Sequence, residues 1–168
     1  MSRTSRRSFL RADFMRPEVM RPYGAVAEDI FARRCDGCGD CAAACPQGIV
    51  LIAQDGKAQV DLARGECTFC EKCITACPAG ALVPEGRADW TWRAEIADDC
   101  LAFQGVTCRA CEDFCDPRAI RFRLQTGGRA LPQIDGAACT GCGACAGGCP
   151  AGAITFARKT LQQGELTA

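Results

Sequence analysis

Four groups of four cysteines, repeated along the chain, constrain what this sequence can fold into more than any other feature. Three groups share the spacing CxxCxxCxxxC and end in Cys-Pro, whereas the third group in chain order has seven residues between its first two cysteines. The groups are Cys35, Cys38, Cys41 and Cys45; Cys67, Cys70, Cys73 and Cys77; Cys100, Cys108, Cys111 and Cys115; and Cys139, Cys142, Cys145 and Cys149. They take up all 16 cysteines of the 168-residue chain, so none remains for another role.

Three kinds of chemistry compete for such cysteines. Disulfide bonds fit poorly, because three cysteines at this step place neighbouring thiols in one local turn. Structural zinc sites join two separated CxxC pairs and need neither a third cysteine nor a following proline. A [4Fe–4S] cluster accounts for every feature, since a CxxCxxC loop binds three iron corners and the cysteine before the proline binds a corner of a second cluster. The chain has 0 His, which excludes Rieske centres and mixed Cys/His zinc sites.

The last cysteine of each group is expected to bind the cluster of the neighbouring group, as in two-cluster ferredoxins. Consecutive pairing then predicts four ligand sets: Cys35, Cys38, Cys41 with Cys77; Cys67, Cys70, Cys73 with Cys45; Cys100, Cys108, Cys111 with Cys149; and Cys139, Cys142, Cys145 with Cys115. Similar spacing favours this pairing, although four-group electron-transfer subunits also pair the first group with the last. The regular groups predict three [4Fe–4S] clusters, and the loop from Leu101 to Thr107 still allows Cys100 to reach a fourth.

The predicted fold is a small α+β protein with two tandem bacterial-ferredoxin-like lobes, in which short β-hairpins and short helices surround cubane clusters. Apolar runs after the groups, such as Ile49–Ile52 and Ile154–Phe156, predict short strands, and Asp55-Gly56 and Gly127-Gly128 predict hairpin turns. Large aliphatic side chains are scarce, so we expect the clusters to form much of the core and the metal-free chain to fold poorly. The predicted segments are a basic N-terminal arm (1–27), the first lobe (28–86), a linker (87–93), the second lobe (94–160) and a C-terminal tail (161–168).

Aromatic residues lie close to the cysteine groups. Trp90 and Trp92 alternate with polar residues as in a strand, and we expect them to pack between the lobes. Phe69 and Phe114 lie inside ligand loops, where they are expected to cover clusters. Several arginines lie in the third repeat and either approach a cluster or form the exposed face of a strand: Arg109, Arg118, Arg121 and Arg123.

Four features of the sequence occur together: the Ser5-Arg6-Arg7 start, the three regular groups, Asp89-Trp90 and the widened third group from Cys100 to Pro117. In these features the sequence resembles the NapF family, the ferredoxin-type accessory proteins of periplasmic nitrate reductase systems in Proteobacteria. The resemblance implies a cytoplasmic protein that contacts the precursor of NapA, the molybdenum-containing catalytic subunit. It also implies that the protein assists maturation of that subunit before export, in particular the assembly of its iron–sulfur cluster.

The start of the chain bears on where the protein works. Residues 5–11 match a twin-arginine export motif. Charged residues and prolines nevertheless interrupt the following segment, where a signal peptide needs an apolar region. We therefore predict a cytoplasmic protein, and a reducing compartment also suits sixteen thiols. The basic arm is expected either to contact an acidic surface of a partner or to remain a solvated tail.

Two functions remain open at this level. The first is an accessory and redox maturation protein that acts on the NapA precursor, with a redox donor as a further partner. The second is a ferredoxin-type electron carrier or an electron-transfer subunit of an oxidoreductase. No membrane span is predicted, and 20 basic residues balance 20 acidic ones, which gives no indication of nucleic-acid binding. With every cysteine assigned to a cluster and no substrate motif, we predict no catalytic residue and no enzyme.

Overall fold

The computed structural model describes residues 18–159, in which short helices alternate with pairs of short strands. The helices are α1 (Glu28–Arg34), α2 (Asp40–Ala43), α3 (Lys72–Thr75), α4 (Ala110–Asp113) and α5 (Ala144–Gly147), and a 3-10 helix covers Pro84–Asp89. The strands are β1 (Val50–Ile52), β2 (Ala58–Val60), β3 (Trp92–Ile96), β4 (Ile120–Leu124), β5 (Ala130–Ile134) and β6 (Ile154–Arg158). The chain is thus a small α+β protein, as the sequence predicts.

The strands form three antiparallel pairs. β1 pairs with β2 and β4 with β5 as hairpins, with Val50 opposite Val60 and Ile120 opposite Ile134. Gly127 and Gly128 both have positive φ, 92° and 78°, at the β4–β5 turn, a conformation that glycine adopts without a steric penalty. The third pair joins distant segments, β3 and β6. Both predicted hairpins are therefore confirmed.

The same unit occurs twice. In the second half of the chain, the β3–β6 pair encloses the β4–β5 hairpin, and α4 contacts α5. In the first half, an isolated bridge between Ala25 and Leu82 encloses the β1–β2 hairpin, and α2 contacts α3. We call residues 20–86 the first lobe and residues 92–158 the second lobe. Each lobe contains two of the four cysteine groups.

The structure differs from the predicted segment boundaries at two places. The N–H of Val26 donates to the Ala81 carbonyl (3.1 Å) and that of Val83 to the Gly24 carbonyl (2.7 Å), so the end of the predicted arm belongs to the first lobe. Trp92 and Arg93, placed in the predicted linker, are the first residues of β3. In both places, backbone pairing with a segment more than fifty residues away extends the lobe. The predicted tail and most of the arm, including the twin-arginine motif, lie outside the described residues.

Arg21 fastens the segment before α1 to the first lobe. Its guanidinium is buried, donates to the Glu28 carboxylate (Nη2 to Oε1, 2.8 Å) and to the Ala58 carbonyl (3.0 Å), and lies 4.9 Å from the centre of the Phe31 ring. Phe31 is 0% exposed. This basic residue of the predicted arm is therefore used inside the protein.

Two apolar cores, one in each lobe, include cysteines. The first contains Phe31, Ile49, Leu82, Cys35 and Cys41. The second is smaller and is built around five buried residues: Ala94, Cys111, Ile120, Cys145 and Ile154. Within residues 18–159, no helix has both the length and the apolar character needed to cross a membrane.

Candidate metal centres

The structure brings the cysteines together across the groups. One cavity is lined by Cys35, Cys38, Cys41 and Cys77, a second by Cys45, Cys67, Cys70 and Cys73, and a third by Cys115, Cys139, Cys142 and Cys145. In each case, three cysteines come from one group and the fourth ends the neighbouring group. We call these sets site 1, site 2 and site 4.

The remaining four cysteines form site 3. Cys100, Cys108 and Cys149 all lie close enough to act electrostatically on the Cys111 thiol. The widened loop therefore does not prevent Cys100 from joining its set. The three cavities follow the consecutive crossed pairing, and not the pairing of the first group with the last.

The cavities have the lining that a cluster needs. At sites 1, 2 and 4, four cysteines line one partly open cavity. Apolar residues line them beside the thiols; Phe31 and Leu82 do so at site 1. In the described part of the chain, no three Cys, Asp or Glu side chains converge on a point suited to a single metal ion. Four thiols around a larger space fit a cubane, which takes one thiolate at each iron corner.

A short helix positions the third cysteine of every group. Cys41, Cys73, Cys111 and Cys145 each occupy the second position of a four-residue helix. In the regular groups, the residue before this helix has a left-handed backbone conformation: Gly39 (φ 88°), Glu71 (φ 61°) and Gly143 (φ 97°). The widened group has Arg109 at φ −134° instead. The changed spacing thus alters how the loop enters the helix while the helix itself is kept.

Burial makes the inner thiols harder to deprotonate. It raises the pKa of Cys41, Cys67 and Cys111 to about 11, and that of Cys73 and Cys145 to about 12, with nearby cysteines adding to the effect. At neutral pH these thiols therefore hold their protons until a cation replaces them. The exposed Cys70 differs, because the backbone N–H of Lys72 lowers the pKa of its thiol. The donor set is suited to a positively charged cluster core.

Aromatic side chains cover site 2 and site 4. Phe69 lines the site 2 cavity, and Phe114, 53% exposed, lines the site 4 cavity, which agrees with the expected cover. Phe69, Tyr23 and Trp90 meet edge to face, with ring centres 5.0 to 6.1 Å apart. The sequence reasoning missed Tyr23, because it lies in the segment interpreted as an arm and no spacing relates it to a cysteine.

Trp90 and three arginines of the third repeat have clear partners or positions. The Nε1–H of Trp90 donates to the carbonyl of Thr140 in the second lobe (3.0 Å), so Trp90 does contact both lobes. Arg109 donates to Glu112 (2.8 Å) and lies over the ring of Phe122 (5.2 Å). Arg121 and Arg123 are on the exposed face of β4. The strand interpretation of this stretch is therefore correct.

Comparison with known proteins identifies the class to which these sites belong. Residues 34–81 and 106–153 each match the 4Fe-4S dicluster domain family. Together with the sixteen cysteines, the two matches make the chain a ferredoxin-type protein with multiple [4Fe–4S] clusters. Proteins of this class generally act as electron carriers.

Comparison with curated relatives shows which family of ferredoxin-type proteins the chain belongs to. The chain is 41% identical over 171 residues to the ferredoxin-type protein NapF of Haemophilus influenzae, covering 95% of this chain and 96% of that protein. It is 38% identical over 136 residues to NapF of Escherichia coli strain K12, covering 81% and 83% of the two chains. A 35% identity over 170 residues to the ferredoxin-type protein NapG of the same strain covers 88% of this chain and 74% of NapG. The chain belongs to the NapF family.

Proposed function

We propose that the chain binds up to four [4Fe–4S] clusters, one at each of sites 1 to 4, with all sixteen cysteines as ligands. The observation that carries this proposal is the convergence of four thiols from two different groups on each cavity. Site 3 has the same two-group composition around Cys111. When bound, the clusters supply one-electron redox chemistry, and the chain supplies thiolates, an apolar lining and aromatic cover.

We further propose that the protein assists maturation of the NapA precursor in the cytoplasm, before that subunit is exported. Membership of the NapF family supports this role, since the resemblance to that family implies contact with the precursor. The exposed positions of Cys38 and Cys70 support it as well. One ligand at site 1 and one at site 2 are accessible to a partner, as either electron transfer or exchange of iron–sulfur units requires.

Iron transfer to the precursor tests the maturation role. The chain is loaded with labelled iron and mixed anaerobically with NapA precursor that lacks its cluster, and the label bound to NapA is counted after separation. We expect the label to move, and to do so in the presence of a chelator that captures free iron. Parallel samples contain the same amount of labelled free iron and sulfide in place of the loaded chain. Label that appears on NapA only without chelator would contradict direct transfer.

The alternative function is electron transfer to a partner oxidoreductase. Its supporting observation is the ferredoxin-type class itself, shared with the NapF and NapG relatives. It predicts that clusters stay on the chain in the presence of a chelator. It also predicts that the reduced chain is rapidly reoxidised by mature oxidoreductase and binds the precursor no more tightly than the mature subunit. Those results together would contradict the maturation role and favour electron transfer.

A reporter fusion tests the proposed location. Residues 1–30 are fused to a folded reporter protein, in cells with and without a working twin-arginine export system. We expect the reporter to stay in the cytoplasm in both. Export that depends on the twin-arginine system would overturn the cytoplasmic assignment.

A further inference from the structure

The two lobes meet at the loops that carry the cysteines of site 2 and site 4. The backbone N–H of Cys67 donates to the carbonyl of Cys142 at 2.7 Å. Cys67 is the first cysteine of the site 2 loop, and Cys142 is the second cysteine of the site 4 loop. A direct peptide-to-peptide hydrogen bond therefore links the two ligand loops without an intervening side chain.

Tight packing surrounds this hydrogen bond. Leu62, 5% exposed, covers Gly143 so closely that a Cβ there would come within 2.7 Å of a Leu62 methyl carbon. On the other side, Trp90 donates to the carbonyl of Thr140 at 3.0 Å. These contacts join the first lobe and the segment before β3 to one loop of the second lobe. They fix the geometry of the junction.

Contacts between helices inside each lobe bring the two sites of that lobe together. Helix α2, which carries Cys41 of site 1, contacts α3, which carries Cys73 of site 2. Helix α4, with Cys111 of site 3, contacts α5, with Cys145 of site 4. Site 1 is therefore adjacent to site 2, and site 3 is adjacent to site 4. The junction between the lobes brings together the inner member of each pair.

We propose that the Cys67–Cys142 junction, held by Leu62 and Trp90, connects the four sites into one line in the order 1, 2, 4, 3. Two ferredoxin-like lobes on a flexible linker would instead give two independent pairs. Sites 1 and 3 are the ends of the line. An electron taken from a one-electron donor at one end can leave to a one-electron acceptor at the other, so the donor is oxidised, the acceptor is reduced and the chain is unchanged. This inference rests on the proposed occupancy of all four sites.

Pulsed EPR of the fully reduced, iron-loaded chain tests the connection, because dipolar coupling counts the spins that lie close together. The native chain is expected to show one connected network of four coupled spins. Leu62→Glu, which places a charge in the junction, is expected to weaken and broaden the coupling between the two pairs while the coupling within each pair is kept. Leu124→Glu is the matched control, since Leu124 is 82% exposed at the end of β4, and it should retain four coupled spins.

Two outcomes would overturn the proposal: two independent pairs in the native chain, or an unchanged network of four in Leu62→Glu. If Leu62→Glu does not hold iron, the native spin count decides by itself. Trp90→Phe provides a milder second variant, in which removal of the donor to Thr140 should lengthen the distance between lobes and leave the distances within lobes unchanged. Iron content is measured first. A chain without iron refutes the proposed occupancy, whereas a fully loaded chain with two isolated pairs refutes only the junction.

Discussion

Cys41 and Cys45 lie four residues apart in one sequence group, yet the structure places them in different sites. Cys41 shares a cavity with Cys35, Cys38 and Cys77, and Cys45 shares another with Cys67, Cys70 and Cys73. Replacement of both by alanine should therefore remove two clusters. Replacement of Cys41 and Cys77, which are far apart in sequence, should remove only one.

The expected changes follow from the composition of a [4Fe–4S] cluster. Four loaded sites hold about sixteen iron atoms, and each single variant should retain about twelve. Cys41→Ala/Cys45→Ala should retain about eight, and Cys41→Ala/Cys77→Ala about twelve. If each sequence group held its own cluster, the two double variants would exchange these values. The comparison of the two double variants thus separates the alternatives by about four iron atoms per chain.

The assay is iron and acid-labile sulfide per chain after anaerobic purification, with EPR spin counting of the reduced protein. Thr75→Ala is the control, because Thr75 is exposed in α3 beside the ligands and should leave the iron content unchanged. Single variants near twelve iron atoms establish that the affected lobe still holds its other cluster. A Cys41→Ala/Cys45→Ala chain with the same iron content as its single parents would refute the crossed arrangement.

Three further predictions concern stability and pH. Phe31→Ala should reduce the unfolding free energy of the loaded chain in guanidinium by about 3–5 kcal/mol, because the ring is 0% exposed; no change would contradict its place in the core. Arg21→Gln should lower the melting temperature and reduce the unfolding free energy by about 1–3 kcal/mol, since the Ala58 carbonyl loses its donor. Most of this loss should persist at high salt, because Glu28 is half exposed and its ion pair with Arg21 contributes little. Burial raises the pKa of Cys73 and Cys145 to about 12, so protons compete with iron for these thiols below that pH. The number of iron atoms retained per chain should therefore fall as the buffer is acidified. Iron content that does not depend on pH would contradict this.

The spacing of the cysteines predicted the sites because the chemistry is local. Three ligands in one CxxCxxC loop must lie within a few residues, and the helix that carries Cys41 or Cys145 follows directly from that loop. The hairpins were predictable for a similar reason, since Gly127 and Gly128 mark the turn by themselves. Similar spacing favoured consecutive pairing but left the pairing of the first group with the last open. The bridge between Ala25 and Leu82 and the β3–β6 pair show how each lobe closes.

Some contacts between distant segments were not predictable from the sequence. The Cys67–Cys142 hydrogen bond joins two backbone groups, which every residue has, so no residue type marks it. Arg21 and Tyr23 lie in a segment whose basic composition indicated a solvated arm, but burial of the Arg21 guanidinium beside Glu28 and Phe31 ties this segment to the lobe. The Cys67–Cys142 hydrogen bond and the burial of Arg21 both depend on how distant segments are placed by the fold, which local sequence patterns do not indicate.

The central claim is that four sets of four thiols hold [4Fe–4S] clusters. Iron, zinc and acid-labile sulfide, measured on the same anaerobically purified chain, test it directly. The account predicts about sixteen iron and about sixteen sulfide per chain, with an EPR signal on reduction. About four zinc per chain, with neither iron nor sulfide, would contradict it.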